Sequence, residues 1–144
     1  MVEVKPNQTV RYLAWGHVNH ALKRLVTKLK TKNDIGEYKT IYAMGRGGMV
    51  PTRLLSGSMG IKDVGFIDPN DPMPSLKGNY AIICDDIFDT GRTYYDVSKR
   101  VPANTIFAFL FARRNVNWNL DVYFGNGILD SSYVVFPWEA SEGD

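Results

Sequence analysis

The 144-residue sequence has few cysteines and histidines, and it lacks a long hydrophobic run. Its one cysteine, Cys84, excludes an internal disulfide and is interpreted as core. Its two histidines, His17 and His20, have no further ligand residues beside them and are interpreted as surface or packing residues. No apolar run reaches the roughly 18 residues that span a bilayer. Residues 1–12 show no secretory signal, so a soluble cytoplasmic protein is expected.

The composition is that of one globular domain. Hydrophobic residues make up 44% of the chain and charged residues 22%, which suits a single core. The net charge of +2 hides an asymmetry, because residues 1–39 carry eight Lys/Arg against three Asp/Glu. This excess indicates either a solvated helix face or a positive field for an anionic ligand or nucleic acid.

Hydrophobic spacing predicts strands that alternate with helices. Helical periodicity starts at Trp15 and ends before the turn residues of 31–39. Further helices are predicted at 49–56 and 93–100, and strands at 40–44, 61–67, 80–84, 105–112, 120–124 and 133–136. The alternation predicts an α/β fold with a mostly parallel sheet flanked by helices. Ligands bind at the carboxyl ends of such strands, where loops 45–48 and 85–93 are expected.

The segment AIICDDIFDTGRTYYDV, residues 81–97, carries the most chemical information. An apolar strand delivers the adjacent carboxylates of Asp85 and Asp86, and the turn 89–93 then opens a helix. Backbone N–H groups, threonine hydroxyls and Gly91 suit a phosphate. Paired carboxylates beside a phosphate suit sugar hydroxyls or Mg²⁺, so a sugar phosphate fits.

Three other phosphate-related motifs fit less well. A response-regulator receiver has its acidic pair near the chain start, whereas this pair lies mid-chain. A nucleotide P-loop needs a Gly-Lys-Ser/Thr ending, which is absent from the sequence. A Rossmann fingerprint through Gly45 and Gly47 needs a third glycine where Val50 stands.

The run IICDDIFDTGRT resembles the signature of type I phosphoribosyltransferases, which bind 5-phosphoribosyl-1-pyrophosphate (PRPP). The resemblance implies a Mg²⁺-dependent enzyme. It implies that the 5′-phosphate binds to Asp89, Thr90, Gly91, Arg92 and Thr93. It also assigns the ribose and the metal to Asp85 and Asp86.

From about Tyr12 to Glu139, the chain resembles the bacterial xanthine-guanine phosphoribosyltransferases. The resemblance divides the single domain 1–144 into a core of about 12–112 and a small base-binding hood of about 113–144. Arg46, Gly47 and Gly48 match the family's pyrophosphate loop. Glycines there allow close approach of the backbone, and arginine supplies a fixed cation.

The resemblance also implies a 6-oxopurine as the acceptor. Asp89 occupies the place of the acid that handles a proton at purine N7 and is the candidate general acid/base, although a helix cap is its simpler role. Arg113 stands where the family has a lysine directed at purine O6, or it is merely exposed charge. Tyr133 is expected to stack on the base, and the Val134 backbone to read its 2-position edge. Glu139 is a candidate ligand of a second Mg²⁺, whereas Phe136 and Trp138 are interpreted as core.

One departure concerns the family's flexible lid. Residues 68–79 are short, rich in proline and without the usual Ser-Tyr pair, which puts catalytic efficiency in question. The resemblance implies a homodimer or homotetramer. The sequence also leaves open two alternative functions. One is a regulator that binds PRPP or nucleotides and controls nucleic-acid binding, and the other is a phosphoribosyltransferase for another base.

Overall fold

The computed structural model describes residues 8–72, 74–76, 78–113 and 121–140, and it has the predicted α/β fold. The elements in chain order are β1 Val10–Tyr12, α1 Trp15–Lys30, a 3₁₀ turn Ile35–Glu37, β2 Thr40–Met44, a 3₁₀ turn Arg46–Gly48, α2 Met49–Met59, β3 Asp63–Ile67, β4 Ala81–Phe88, α3 Arg92–Ser98, β5 Ile106–Ala112, β6 Val122–Gly127, β7 Tyr133–Val135 and α4 Pro137–Ala140.

Five strands form a parallel sheet in the order β3-β2-β4-β5-β6. Helices α1 and α2 pack on one face, and α3 packs on the other. The interior strand β5, with the sequence IFAFLFA, is buried along its whole length. Burial on both faces explains why it is a continuous apolar run rather than an alternating one.

Helix α1 buries an apolar stripe with helical spacing against β5 and β6. Its buried residues are Val18, Ala21, Leu22, Leu25, Val26 and Leu29. The helix begins after Ala14, whose backbone N–H donates to Nδ1 of His17 at 3.0 Å. The helix bounds confirm the predicted periodicity.

Strand β4 is longer than predicted, and this is a correction. The apolar run ends at Cys84, but the pairing with β5 continues to Phe88, opposite Ala112. Asp85 and Asp86 therefore lie within the strand rather than after it. The register passes from Asp85 to Ile87 without a pair at Asp86. Strand β6 also ends later than expected, at Gly127.

The predicted hood strand pairs with a strand that sequence analysis missed. Strand β1 lies parallel to β7, with Val10 opposite Tyr133. The two form a small second sheet beside α4. The boundary at residue 113 stays a prediction, and β6, which follows that boundary, belongs to the main sheet. No helix in the described ranges has the length and apolar character needed to cross a membrane.

Candidate active site

Two loops meet at the carboxyl edge of the sheet, as predicted. Loop 45–48 follows β2, and loop 89–91 follows β4, its neighbour in the sheet. Gly45 has a φ of 64°, and its N–H donates to the Ile67 carbonyl at 2.7 Å. A Cβ on Gly48 would lie 2.5 Å from the Cys84 carbonyl oxygen. Glycine at 48 is therefore what allows the Arg46–Gly48 turn to lie directly on β4.

The same turn contacts the acidic pair. A Cβ on Gly47 would lie 2.8 Å from Oδ2 of Asp86 and 3.3 Å from Oδ1 of Asp85. The turn expected to hold pyrophosphate and the carboxylates expected to hold ribose and metal are thus in contact. The sequence predicts both at one edge of the sheet, and the structure brings them together there.

The two carboxylates are half-buried and fixed by hydrogen bonds. Oδ1 of Asp85 accepts from the Asp86 backbone N–H at 2.8 Å, and Oδ1 of Asp86 accepts from that of Ile87 at 2.6 Å. Burial raises the pKa of Asp85. Burial, followed by the neighbouring charge of Asp85, raises the pKa of Asp86 well above its usual range. A cation bound beside the pair would favour its ionised form.

The turn after β4 surrounds a small cavity. Gly91 has a φ of 80°, and its carbonyl accepts the Tyr95 N–H at 2.9 Å, which starts α3. Oγ1 of Thr90 accepts from the Arg92 N–H at 3.3 Å. The cavity has a volume of about 230 Å³, and its lining is Met44, Pro69, Asp85, Ile87 and Asp89–Tyr94. All five predicted 5′-phosphate residues border it.

Loop 68–79 contributes to this cavity through its first residues. Asp68 accepts the Asn70 N–H at 2.9 Å in a local turn, and Pro69 borders the cavity. Leu76 packs against the core on the α3 side of the sheet. Met73 and Lys77 of the predicted lid lie outside the described residues.

Arg113 joins the turn after β4 to the segment before β7. Its Nε lies 3.1 Å from Oδ1 of Asp89. Its Nη1 donates to the Asp130 carbonyl at 3.1 Å, and its Nη2 donates to the Ser132 carbonyl at 2.6 Å. The side chain is only 17% exposed, so the alternative of merely exposed charge is wrong. The ion pair with Asp89 is a contact that sequence analysis missed.

The segment that anchors Arg113 is itself ordered by a carboxylate. Oδ1 of Asp130 accepts from both the hydroxyl and the N–H of Ser132, at 2.5 and 3.1 Å. These hydrogen bonds lower the pKa of Asp130. The loop therefore presents its carbonyls to Arg113 in a fixed arrangement.

Strand β7 presents the predicted base-binding residues. The Tyr133 N–H donates to the Thr9 carbonyl at 2.8 Å, and the Leu13 N–H donates to that of Val135 at 2.9 Å. Backbone groups alternate along a strand, so those of Val134 point away from β1. The Val134 side chain is buried, whereas Tyr133 is half-buried. Phe136 is buried and stacks on Trp138, which confirms their core interpretation.

Glu139 lies close enough to Asp86 for its charge to raise the pKa of that carboxyl further, as a smaller cause. Its Oε1 accepts the Phe136 N–H at 2.9 Å. Within the described ranges, no three His, Cys, Asp or Glu side chains converge into a metal cage. Mg²⁺ is often held by one or two carboxylates and the phosphates of a substrate, and Asp85 with Asp86 fits that donor set.

Tyr94, which follows Thr93 in α3, is a contact of the acidic pair that was not predicted from the sequence. Its hydroxyl donates to Oδ2 of Asp85 at 2.5 Å. The only signal in the sequence is a phenol directly after the phosphate turn, and that signal does not identify its partner.

Comparisons with known proteins agree with this geometry, although no model of a known protein family matches the chain. The xanthine-guanine phosphoribosyltransferase of Gluconobacter oxydans is 28% identical over 152 residues, covering 93% of this chain and 88% of that protein. A crystal structure of a purine phosphoribosyltransferase from Pyrococcus horikoshii is 26% identical and has a TM-score of 0.67, covering 90% of this chain and 93% of that one. The xanthine-guanine-hypoxanthine phosphoribosyltransferase of Helicobacter pylori, at 19% identity, shares the fold with a TM-score of 0.75 over 92% of this chain and 95% of that one. In its signature sequence, parallel sheet and carboxylate pair, this chain is similar to the type I phosphoribosyltransferases, enzymes that transfer pentosyl groups.

Proposed function

We propose that the protein transfers the 5-phosphoribosyl group of PRPP to a 6-oxopurine, namely guanine, xanthine or hypoxanthine, and releases pyrophosphate. The observation that carries the choice of base is the ion pair between Asp89 and Arg113. It puts a carboxylate of the turn after β4 in contact with the cation that the loop before β7 holds in place. A proton acceptor beside a hydrogen-bond donor suits a base that carries a ring N–H next to a carbonyl oxygen.

PRPP is proposed to bind across the carboxyl edge of the sheet. Its 5′-phosphate takes the cavity bordered by Asp89–Thr93. Its ribose hydroxyls contact Asp85 and Asp86, and its pyrophosphate lies on the Arg46–Gly48 turn, which touches those carboxylates. Each of the three parts of the ligand is thus matched by one part of the site.

Mg²⁺ is the proposed cofactor, and Asp85 and Asp86 are the residues proposed to hold it, with Glu139 beside Asp86 for a second ion. When bound, the ion neutralises charge on the departing pyrophosphate. Because burial and mutual repulsion raise the pKa of Asp86, a cation there also favours the ionised pair.

In the proposed reaction, the bond from ribose C1 to the pyrophosphate oxygen breaks, and its electron pair leaves with pyrophosphate. A purine ring nitrogen bonds to C1 from the opposite face, and Asp89 accepts the proton that the purine loses at N7. Asp85 and Asp86 hold the ribose and stabilise the positive charge that develops at C1. Arg113 donates toward O6, Tyr133 stacks on the ring, and the Val134 backbone meets the 2-position edge. Positioning and electrostatics account for most of the acceleration.

The test is pyrophosphate release from PRPP and Mg²⁺ with guanine, xanthine, hypoxanthine, adenine, uracil or orotate, for the wild type and Asp89→Asn. We expect turnover with an oxopurine and a loss on the order of 10²-fold in kcat in the variant. PRPP binding, measured by calorimetry, should survive the substitution. Turnover with adenine, uracil or orotate alone would move the proposal to an enzyme for that base.

A second candidate is a regulator that binds PRPP or a nucleotide and controls nucleic-acid binding. The observation that favours it is a cavity of about 590 Å³ beside α1, whose lining includes Arg11, His17, His20 and Arg24. This hypothesis predicts nucleic-acid binding that weakens steeply with salt, together with saturable PRPP binding and no turnover of any base. The enzyme hypothesis predicts turnover without such binding.

Assembly and location remain part of the proposal. We expect a cytoplasmic homodimer or homotetramer, and light scattering coupled to size-exclusion chromatography would measure its mass. A monomer at assay concentrations would contradict the expected assembly, but it would not contradict the proposed reaction.

A further inference from the structure

Tyr94 lies beside the Asp85–Asp86 pair, on the face of the sheet that α3 covers. It is 5% exposed, and its hydroxyl donates to Oδ2 of Asp85. We infer that Tyr94 is a positioning residue, which holds the Asp85 carboxylate in the orientation that binds the ribose of PRPP. The inference rests on the proposed function, because it assigns a role within the same site.

The surroundings of Tyr94 give its ring a fixed place. Phe107 and Phe109 meet it edge to face at centroid distances of 5.6 and 4.8 Å, and Phe88 lies at 6.0 Å. Such contacts suit a phenylalanine ring equally well. A hydroxyl brought into this apolar cluster is unfavourable unless it is hydrogen-bonded, so its contact with Asp85 is what the phenol adds.

Asp85 is held from two directions. Its Oδ1 accepts the Asp86 N–H within β4, and its Oδ2 accepts the phenol of α3. These two donors belong to different elements, so together they define the rotation of the carboxylate. Each carboxylate oxygen accepts about two hydrogen bonds, so these two donors alone do not exhaust the acceptor capacity of Asp85.

Asp85 and Tyr94 both border the cavity beside the phosphate turn. An Asp85 side chain that is already oriented toward this cavity binds PRPP without losing further rotational freedom. Removing the phenol oxygen leaves the ring packed but lets the carboxylate turn. PRPP affinity should therefore fall, whereas affinity for the purine should not, because the proposed purine contacts lie on Asp89, Arg113 and β7.

The experiment compares PRPP affinity in the wild type, Tyr94→Phe, Asp85→Asn and the double variant, by calorimetry with Mg²⁺ present. Tyr95→Phe is the matched control, since Tyr95 is the next residue of α3 and is 54% exposed. We expect Tyr94→Phe to weaken PRPP binding about tenfold and Tyr95→Phe to leave it unchanged. In the Asp85→Asn background, Tyr94→Phe should have little further effect, because the phenol acts through that carboxylate. Steady-state kinetics should show a higher KM for PRPP and an unchanged KM for the purine.

Several results would overturn the inference. Equal PRPP affinity in the wild type and Tyr94→Phe would show that the phenol only fills space. An equal loss from Tyr94→Phe in the wild-type and Asp85→Asn backgrounds, or a parallel rise in the KM of both substrates with a lower melting temperature, would show a packing effect. Absence of PRPP binding by the wild type would overturn the proposed function and this inference together, which separates that failure from the others.

Discussion

Gly47→Ala tests whether the contact between the Arg46–Gly48 turn and the Asp85–Asp86 pair controls activity. The added methyl group would lie 2.8 Å from Oδ2 of Asp86, whereas ordinary van der Waals contact begins at 3.4 Å. Gly47 does not have a positive φ, so its backbone accepts alanine. The strain therefore falls on the Asp86 carboxylate, which has to move by several tenths of an ångström.

That movement competes with a short hydrogen bond. Oδ1 of Asp86 accepts the Ile87 N–H at 2.6 Å, and turning the carboxylate away from residue 47 lengthens or breaks this contact. A hydrogen bond to a charged group contributes about 1.5–3 kcal/mol. If PRPP binding has to restore the original orientation, the same free energy corresponds to a loss of about 10- to 150-fold in kcat/KM for PRPP.

The assay is kcat/KM for PRPP at saturating purine, with the thermal midpoint measured in parallel. Gly36→Ala is the control, because a Cβ at Gly36 meets nothing within 4 Å. Gly48→Ala is a contrast, because its Cβ would meet backbone, the Cys84 carbonyl oxygen at 2.5 Å, and should lower the thermal midpoint most. A kcat/KM of Gly47→Ala equal to that of Gly36→Ala would refute the reasoning about Asp86.

Three further predictions follow from buried or anchored groups. Burial and the charge of Asp85 raise the pKa of Asp86, so the native state binds this proton more tightly than the unfolded chain, and the contribution of Asp86 to stability falls as pH rises above about 4. Asp86→Asn should therefore raise the melting temperature near neutral pH and lose that advantage in acid, and a gain of equal size at both would contradict this. Burial raises the pKa of the Cys84 thiol to about 12, so a thiol reagent at about pH 8 should label it only after denaturant is added, and labelling of the native protein would be the contrary result. Arg113→Lys removes the planar fork that reaches Asp89 and two carbonyls, so the KM for the purine should rise about tenfold while PRPP affinity, measured by calorimetry, stays the same.

The main sheet could be predicted from the sequence because its signals are local. Strand β5 is a continuous apolar run, and α1 repeats its apolar residues with helical spacing. The turn at 89–93 is likewise a short motif. Such features depend on neighbouring residues, so periodicity and turn chemistry suffice to find them.

The features that sequence reasoning missed depend on distant partners. Strand β1 has three residues, and its only described ladder is with β7 near the other end of the domain. The apolar run of β4 stops at Cys84, but its neighbour β5 extends the pairing through the acids to Phe88. The phenol of Tyr94 and the guanidinium of Arg113 find their acceptors only when helix, strand and loop are assembled.

The pairing of β1 with β7 has a consequence for the order in which the protein is made. Gln8 and Ser131, which flank this pairing, are 123 residues apart and joined by a hydrogen bond. Everything proposed to contact the sugar phosphate lies between residues 46 and 94 and leaves the ribosome before β7 does. Contacts between distant segments are slow to form, so a nascent chain should assemble the residues proposed to hold the sugar phosphate first and add those of β7 proposed to bind the base last.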